Sequence, residues 1–293
     1  MSRLREVGNK AQLDGRKLLI PYLVAGDPCL GATEKLMHQL VEDGADIIEL
    51  GIPFSDPSSD GPVIQLGAER AIAAGTSLAD VCELMKRFRT KNSVTPVVLM
   101  GYLNPIELMG YDEFTRKVSG AGVDGVLVVD MPPAESSALR QRLRDVNIDT
   151  IFLVAPTTGL ERAKLITEVC SGYLYYVSLK GVTGAALSDP KAIRARVHEL
   201  RALTKLPIVI GFGIRDVDSV VKMSEISDGV IIGSALVSEI AKLSSNGNET
   251  SEEIQLATKL IRDARDALEA KGCLLYTSPS PRDRTRSRMP SSA

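Results

Sequence analysis

Two carboxylates stand where acid–base chemistry could use them. Glu49 lies in the run DIIELGIPF, with Ile47, Ile48, Leu50 and Ile52 around it. A carboxylate among such neighbours is poorly solvated, and desolvation disfavours its charged form. Its pKa should rise toward neutrality, where one group can both give and take a proton. The same run also suits a structural carboxylate paired with a lysine or a backbone amide, and spacing alone divides the two evenly. Asp60 follows in PFSDPSSDGPVIQ, a segment that its prolines and glycine stiffen or bend. It either works on a substrate or caps the next helix, with Pro62 in the first turn. Asp56 in the same segment reads as a turn former or a partner contact.

The other candidates are fewer. His38 and His198 are the only histidines, and both fall in charged, helix-like stretches that suggest surface imidazoles. Acid–base work near neutral pH is therefore left to carboxylates, tyrosines or lysines with shifted pKa. Cys29, Cys82, Cys170 and Cys273 are widely spaced, with no CxxC and no neighbouring histidine, which argues against zinc and against a disulfide framework. Three late segments, SLKGVTGAALSDP, GFGIRD and GSALVSEIAKL, suit a phosphate dianion on bare amides at helix N-termini. Gly213, Gly233 and Ser234 would supply those amides, with Gly184 closing from above. The loop from Leu179 to Pro190 reads as a lid, with Thr183 as its contact back to the site. Lys180 in that loop offers a rival chemistry, a Schiff base with a ketone, but flexible Gly181 follows it and no strand holds it.

Elements that could position these residues recur along the chain. Short apolar runs at 18–26, 46–51, 96–101, 125–130, 150–156, 173–178, 207–213 and 229–234 read as strands apolar on both faces, as in a parallel sheet covered by helices. Between them lie stretches with apolar residues at three- and four-residue spacing, such as ATEKLMHQLVEDG and PKAIRARVHELRALT. No GxGxxG follows the first strand, so a dinucleotide-binding sheet is disfavoured. Eight βα units favour an α/β fold of the (β/α)₈ TIM-barrel type, with an extra N-terminal helix and a short extra helix opening at Ser234. In that fold the site lies at the C-terminal ends of the strands, where these unusual residues fall.

Composition narrows the function classes. The chain has 293 residues, 44% hydrophobic and 25% charged, with net charge −2. No basic stripe interleaves with aromatics, which disfavours nucleic acid. No apolar run approaches the roughly 18 residues that span a bilayer. The polar, mixed-charge N-terminus is neither a signal nor a transit peptide, so a cytoplasmic protein is expected. From Cys273 onward the pattern breaks: CLLYTSPSPRDRTRSRMPSSA has no apolar period and carries four Arg against one Asp. It reads as a non-native or disordered tail resembling translated adaptor sequence, and residues 1–272 as one barrel domain.

The segments PYLVAGDP, ADIIELGIPFSDPSSDGPVIQ, VVLMGYLNPI, GVDGVLVVDMP, SLKGVTG, GFGIRD and DGVIIGSA occur in this order. Over about residues 18–270 the chain resembles the tryptophan synthase α-subunit family, and the ELGIPFSDPxxDGPxIQ stretch is specific to it. The resemblance implies a lyase of tryptophan biosynthesis that cleaves indole-3-glycerol phosphate to indole and glyceraldehyde 3-phosphate. It gives Glu49 the proton transfers to indole C3 and from the side-chain hydroxyl, and Asp60 the indole N–H. Tyr22, Met100, Tyr102, Leu127, Val129, Leu153, Tyr175 and Phe212 fall at family positions lining the indole and glycerol pocket. By themselves Leu127 and Leu153 read as barrel core. Tyr22 stands where phenylalanine is common, which adds a hydroxyl, and Leu-Lys follows Ser178 where some relatives carry arginine. The resemblance implies no metal and no organic cofactor on this chain, pyridoxal phosphate (PLP) only on a partner β subunit, and an α₂β₂ complex. Its interface maps to Pro53, Asp56 and Asn104. A stand-alone lyase and another phosphate-binding barrel aldolase are the alternatives.

Overall fold

The computed structural model describes residues 2–178, 190–211, 213–244 and 247–276. Its strands are β1 (Leu18–Val24), β2 (Ile48–Gly51), β3 (Val97–Gly101), β4 (Gly125–Val128), β5 (Asp149–Val154), β6 (Leu174–Val177), β7 (Ile208–Gly211) and β8 (Gly229–Ile232). They pair in parallel and in sequence order, and β8 closes onto β1 through Leu18↔Gly229 and Pro21↔Ile232. All eight expected strands form; most end one or two residues early, where the chain leaves the sheet for the loops that carry polar residues.

The helices among the described residues are α1 (Arg3–Leu13), α2 (Leu30–Glu42), α3 (Pro62–Ala73), α4 (Leu78–Lys91), α5 (Leu103–Met109), α6 (Tyr111–Gly120) and α7 (Ser137–Asp145). After them come α8 (Leu160–Val169), α9 (Pro190–Arg201), α10 (Val217–Ser224), α11 (Ser234–Ile240), α12 (Ser251–Ala257) and α13 (Lys259–Tyr276). The extra helices expected before β1 and after β8 are α1 and α11. Reciprocal caps start three helices: Ser77 with Asp80, Asp216 with Ser219, and Thr250 with Glu253. The helical backbone of α13 runs to Tyr276, past the composition break at Cys273.

Alternation along the strands sorts side chains into two cores. Leu19, Leu23, Ile48, Leu50, Val97 and Leu99 point outward and pack with Leu36, Phe88 and Phe114 of the surrounding helices. Ile20, Tyr22, Val98, Leu127, Ile151, Tyr173, Tyr175, Val209 and Ile231 point inward and fill the barrel. Glu49 and Gly51 share the inward parity on β2.

The barrel floor is tied by aspartates at strand starts. Asp46, Asp124 and Asp228 each accept the amide of the preceding strand, from Leu19, Val97 and Ile208 respectively, at 2.8 Å. Each also faces arginine: Asp46 meets Arg16 and Arg265, Asp124 meets Arg3 and Arg89, and Asp228 meets Arg201. Helix α1 covers this end, with Leu4 buried at 2% exposure and Ser2 and Arg5 bonded to Asp149. Removing one member of a buried pair strands the other without water. Asp124→Ala should therefore lower stability by about 3 kcal/mol. The denaturation midpoint in urea reads this, and a change below about 1 kcal/mol would show that the floor network is dispensable.

Candidate active site

Glu49 is held by the rigid middle of β2, beside Tyr22 across the β1–β2 pair. It is fully buried. One oxygen, Oε1, accepts a hydrogen bond from the Tyr173 hydroxyl, and the other, Oε2, has no partner among the described residues. Burial pushes the carboxyl up to about 7, against the opposing pull of the Tyr173 hydrogen bond. No cation and no backbone amide among the described residues binds it.

Asp60 lies in the loop between β2 and α3. It does not cap α3: Gly61 is the N-cap, with Pro62 in the first turn. The helix therefore leaves the Asp60 carboxylate free, and Oδ2 accepts from the Tyr102 hydroxyl at 3.0 Å. That same hydroxyl accepts the Ser59 amide at 3.0 Å. Burial raises the Asp60 pKa, with the Tyr102 hydrogen bond opposing. The loop backbone is fixed from α3, where the Gln65 amide donates to the Asp60 carbonyl at 2.9 Å. In turn α3 is pinned to the end of β1 by Arg70, which grips both oxygens of Asp27 at 2.7 and 2.8 Å. Phe54 stacks on Tyr102 with centroids 5.2 Å apart.

Around these carboxylates the inward side chains form one cluster. Tyr22, Leu127 and Tyr175 are buried in it, while Met100, Val129 and Leu153 are partly open and pack against it. Leu127 is fully enclosed, as a core residue would be, whereas Leu153 reaches open space. Thr183, Gly184 and Phe212 lie outside the described residues, as does Lys180.

The phosphate corner is narrower than the sequence suggests. GFGIRD does open a helix, its last residue Asp216 being the N-cap of α10, but the Asp216 carboxylate already accepts the Ser219 amide there at 2.8 Å. An acidic cap occupies the amides that a phosphate would need. Gly213, with φ +79°, turns the chain after β7, and α11 opens at Ser234 with Gly233 as its N-cap and no side-chain cap. The bare amides that open α11 stand at the end of β8, beside β7.

Tyr173 was not singled out in the sequence. It stands two residues before Tyr175, so on an alternating strand the inward assignment of Tyr175 carries Tyr173 with it. Of the histidines, His198 is exposed. His38 is not a plain surface imidazole: it is half-buried, its ring lies 4.9 Å from Phe88, and burial lowers its pKa. Neither neighbours the carboxylates. Cys29, Cys82 and Cys170 are free thiols, and among the described residues no three metal-ligating side chains converge.

Residues 9–267 match the family model described as tryptophan synthase alpha chain. The chain belongs to the tryptophan synthase alpha chain family. It is 50% identical over 270 residues to the tryptophan synthase alpha chain of Marinobacter nauticus, covering 92% of this chain and 99% of that protein. To that of Thioalkalivibrio sulfidiphilus it is 49% identical, covering 92% and 100%. Among solved structures, tryptophan synthase subunit alpha from Legionella pneumophila superposes with TM-score 0.84 at 39% identity, covering 92% of this chain and 99% of that one. A chain of the tryptophan synthase complex from Pyrococcus furiosus gives TM-score 0.75 at 34% identity, covering 85% and 98%.

The elevated pKa of Glu49 couples this alpha-chain site to stability. In the unfolded chain the carboxyl ionises near its ordinary 4.5, in the fold near about 7. Its neutral form favours the fold fully below the first value, and that contribution is lost as pH rises toward and through the second. Glu49→Gln escapes the loss. Its stability relative to the wild type should grow by about 3 kcal/mol between pH 4.5 and pH 7 and level off above. Paired denaturation curves across that range check this; a pH-independent difference would mean that Glu49 ionises normally in the fold.

Proposed function

We propose that this chain performs the lyase reaction of its family, cleaving indole-3-glycerol phosphate to indole and glyceraldehyde 3-phosphate, with Glu49 and Asp60 as its catalytic groups. The observation that carries the assignment is the Glu49 carboxyl, buried at the barrel mouth near neutral pKa with one oxygen held by Tyr173 and the other unpartnered. A carbon–carbon bond of the retro-aldol type breaks when the side-chain hydroxyl loses its proton and the ring carbon, indole C3, gains one. A single carboxyl poised between its two forms can serve both steps. Tyr173 fixes the orientation and leaves only Oε2 to meet substrate.

Protonation at C3 puts positive character on the ring N–H. Asp60, held by Tyr102 on one oxygen, accepts that N–H and offsets the charge. Tyr22, Met100, Tyr102, Leu127, Val129, Leu153 and Tyr175, with Phe212 and Thr183, enclose the indole and glycerol portions. Gly213, Gly233 and Ser234, joined by Gly184, take the phosphate on backbone amides. No step of this chemistry calls for a metal or an organic cofactor on this chain.

Family membership implies a β-subunit partner, which carries the PLP, and we propose an α₂β₂ assembly in the cytoplasm. No helix among the described residues is long and apolar enough to cross a membrane. Asp56 and Asn104 are exposed and free to meet the partner, whereas Pro53 is buried in the chain itself and serves the interface by shaping the loop. Leu108, 83% exposed on the same helix as Asn104, extends the surface.

Glu49→Gln should cut indole release by at least 10²–10⁴-fold while leaving ligand binding largely intact. Indole release is best measured with residues 1–272, with and without a β subunit. Release that rises with the partner supports the subunit role, and equal release points to a stand-alone lyase. Near-normal turnover by Glu49→Gln would remove the assigned proton transfers.

A further inference from the structure

Four tyrosines crowd the barrel mouth, and two of their hydroxyls are already spoken for: Tyr173 by Glu49 and Tyr102 by Asp60. The Tyr22 hydroxyl differs. It has no hydrogen-bond partner among the described residues, and it is not sealed from open space. A ring in this apolar cluster would pack as well without the oxygen, which makes no bond to the described residues around it. Its use must therefore lie toward the pocket.

The position of that oxygen is well defined. Tyr22 points inward from β1 and leans over β2, where its hydroxyl lies 2.3 Å from the point a Cβ on Gly51 would occupy. Gly51 shares the inward parity of Glu49 and stands one step closer to the mouth. The hydroxyl thus fills the side-chain space that Gly51 leaves vacant, directly above the catalytic carboxyl. At its other edge the ring approaches the corresponding point on Gly233 at 3.7 Å. Burial, then the charge of Asp60, then that of Glu49, hold the phenol well above its ordinary pKa. It is a neutral group that feels the charge of both carboxylates, in the space that the lyase reading gives to the aromatic ring.

We propose that the Tyr22 hydroxyl is a specificity-determining group, which fills the slot above Gly51 and so denies it to substituents on the substrate's indole ring. The inference rests on the lyase reading above. Tyr22→Phe deletes one oxygen and opens a space of one small heavy atom, into which a fluorine or methyl on the ring can reach.

The test uses the unsubstituted substrate and its monofluoro and monomethyl derivatives at each of the four benzo positions, with wild type and Tyr22→Phe in complex with the β subunit. The readout is kcat/KM for each derivative divided by that for the unsubstituted substrate. For at least one position the ratio should rise roughly tenfold in Tyr22→Phe, the discrimination that one carbon-sized group gives in an apolar pocket. Dissociation constants of the matching free indoles give the same ratio without turnover. Ratios that all stay within about twofold would overturn the proposal. So would a uniform loss for every substrate, which would make the hydroxyl a general binding contact. Failure of the wild type to cleave even the unsubstituted substrate would instead sink the lyase reading, and the proposal with it.

Discussion

A carboxyl group buried inside an apolar barrel is the constraint around which the rest of this structure is arranged. Glu49 has no cation beside it and only one hydrogen-bond donor, so burial is the term that decides its ionisation. Such a group opposes folding whenever the pH favours its charge, and the scaffold has to hold it regardless. The floor of the same barrel supplies the contrast. There Asp46, Asp124 and Asp228 each accept a strand amide and face arginine. One residue class thus meets opposite surroundings at the two ends: paired carboxylates fix strand register below, and above each carboxylate has a single tyrosine hydroxyl as its donor.

Tyrosine is the means by which the mouth supplies polarity without charge. Burial holds the Tyr173, Tyr175 and Tyr22 hydroxyls well above their usual pKa, and the Tyr102 hydroxyl is raised too. All are neutral donors at the pH where Glu49 changes state. A neutral donor orients a carboxylate without fixing it in the charged form as strongly as an arginine would. Tyr175 leans over Gly211 on β7 as Tyr22 leans over Gly51 on β2, with its hydroxyl 2.1 Å from the point a Cβ would take. Each glycine is a vacancy that a tyrosine from the preceding strand fills.

How far the sequence revealed this depended on the range of the interaction. The strands were legible because β-branched runs apolar on both faces have few other uses, and the isoleucines around Glu49 marked it as poorly solvated. Asp60 was ambiguous, since an aspartate before Gly-Pro suits a helix cap and a catalytic loop alike; only the backbone at Gly61 separates the two. GFGIRD marked the start of α10, and the spacing of Asp216 and Ser219 carries the acidic cap that fills an amide there. Tyr173 was within reach through its spacing from Tyr175, but the hydrogen bond to Glu49 joins β6 to β2 across the barrel. The floor aspartates were likewise hidden, because each acts on the amide of a strand distant in sequence. What local pattern governs was readable; what closure of the barrel brings together was not.

The two carboxylates of the site also differ in how they are carried. Glu49 belongs to a strand hydrogen-bonded on both sides, and no motion short of opening the barrel moves it. Asp60 belongs to a loop whose turns are closed by Ser58 onto Asp56 at 2.8 Å and by Asp60 onto Pro57 at 3.0 Å. Exposed Asp56 is thus linked to Asp60 through a few residues with little slack. The Phe54 ring, stacked on Tyr102, ties the same loop to the hydroxyl that holds Asp60. A partner seated on Asp56 would therefore act on Asp60 and Tyr102 together while Glu49 stayed in place. The separation between the two carboxylates, and with it the surroundings of Asp60, is what a contact on this loop would change.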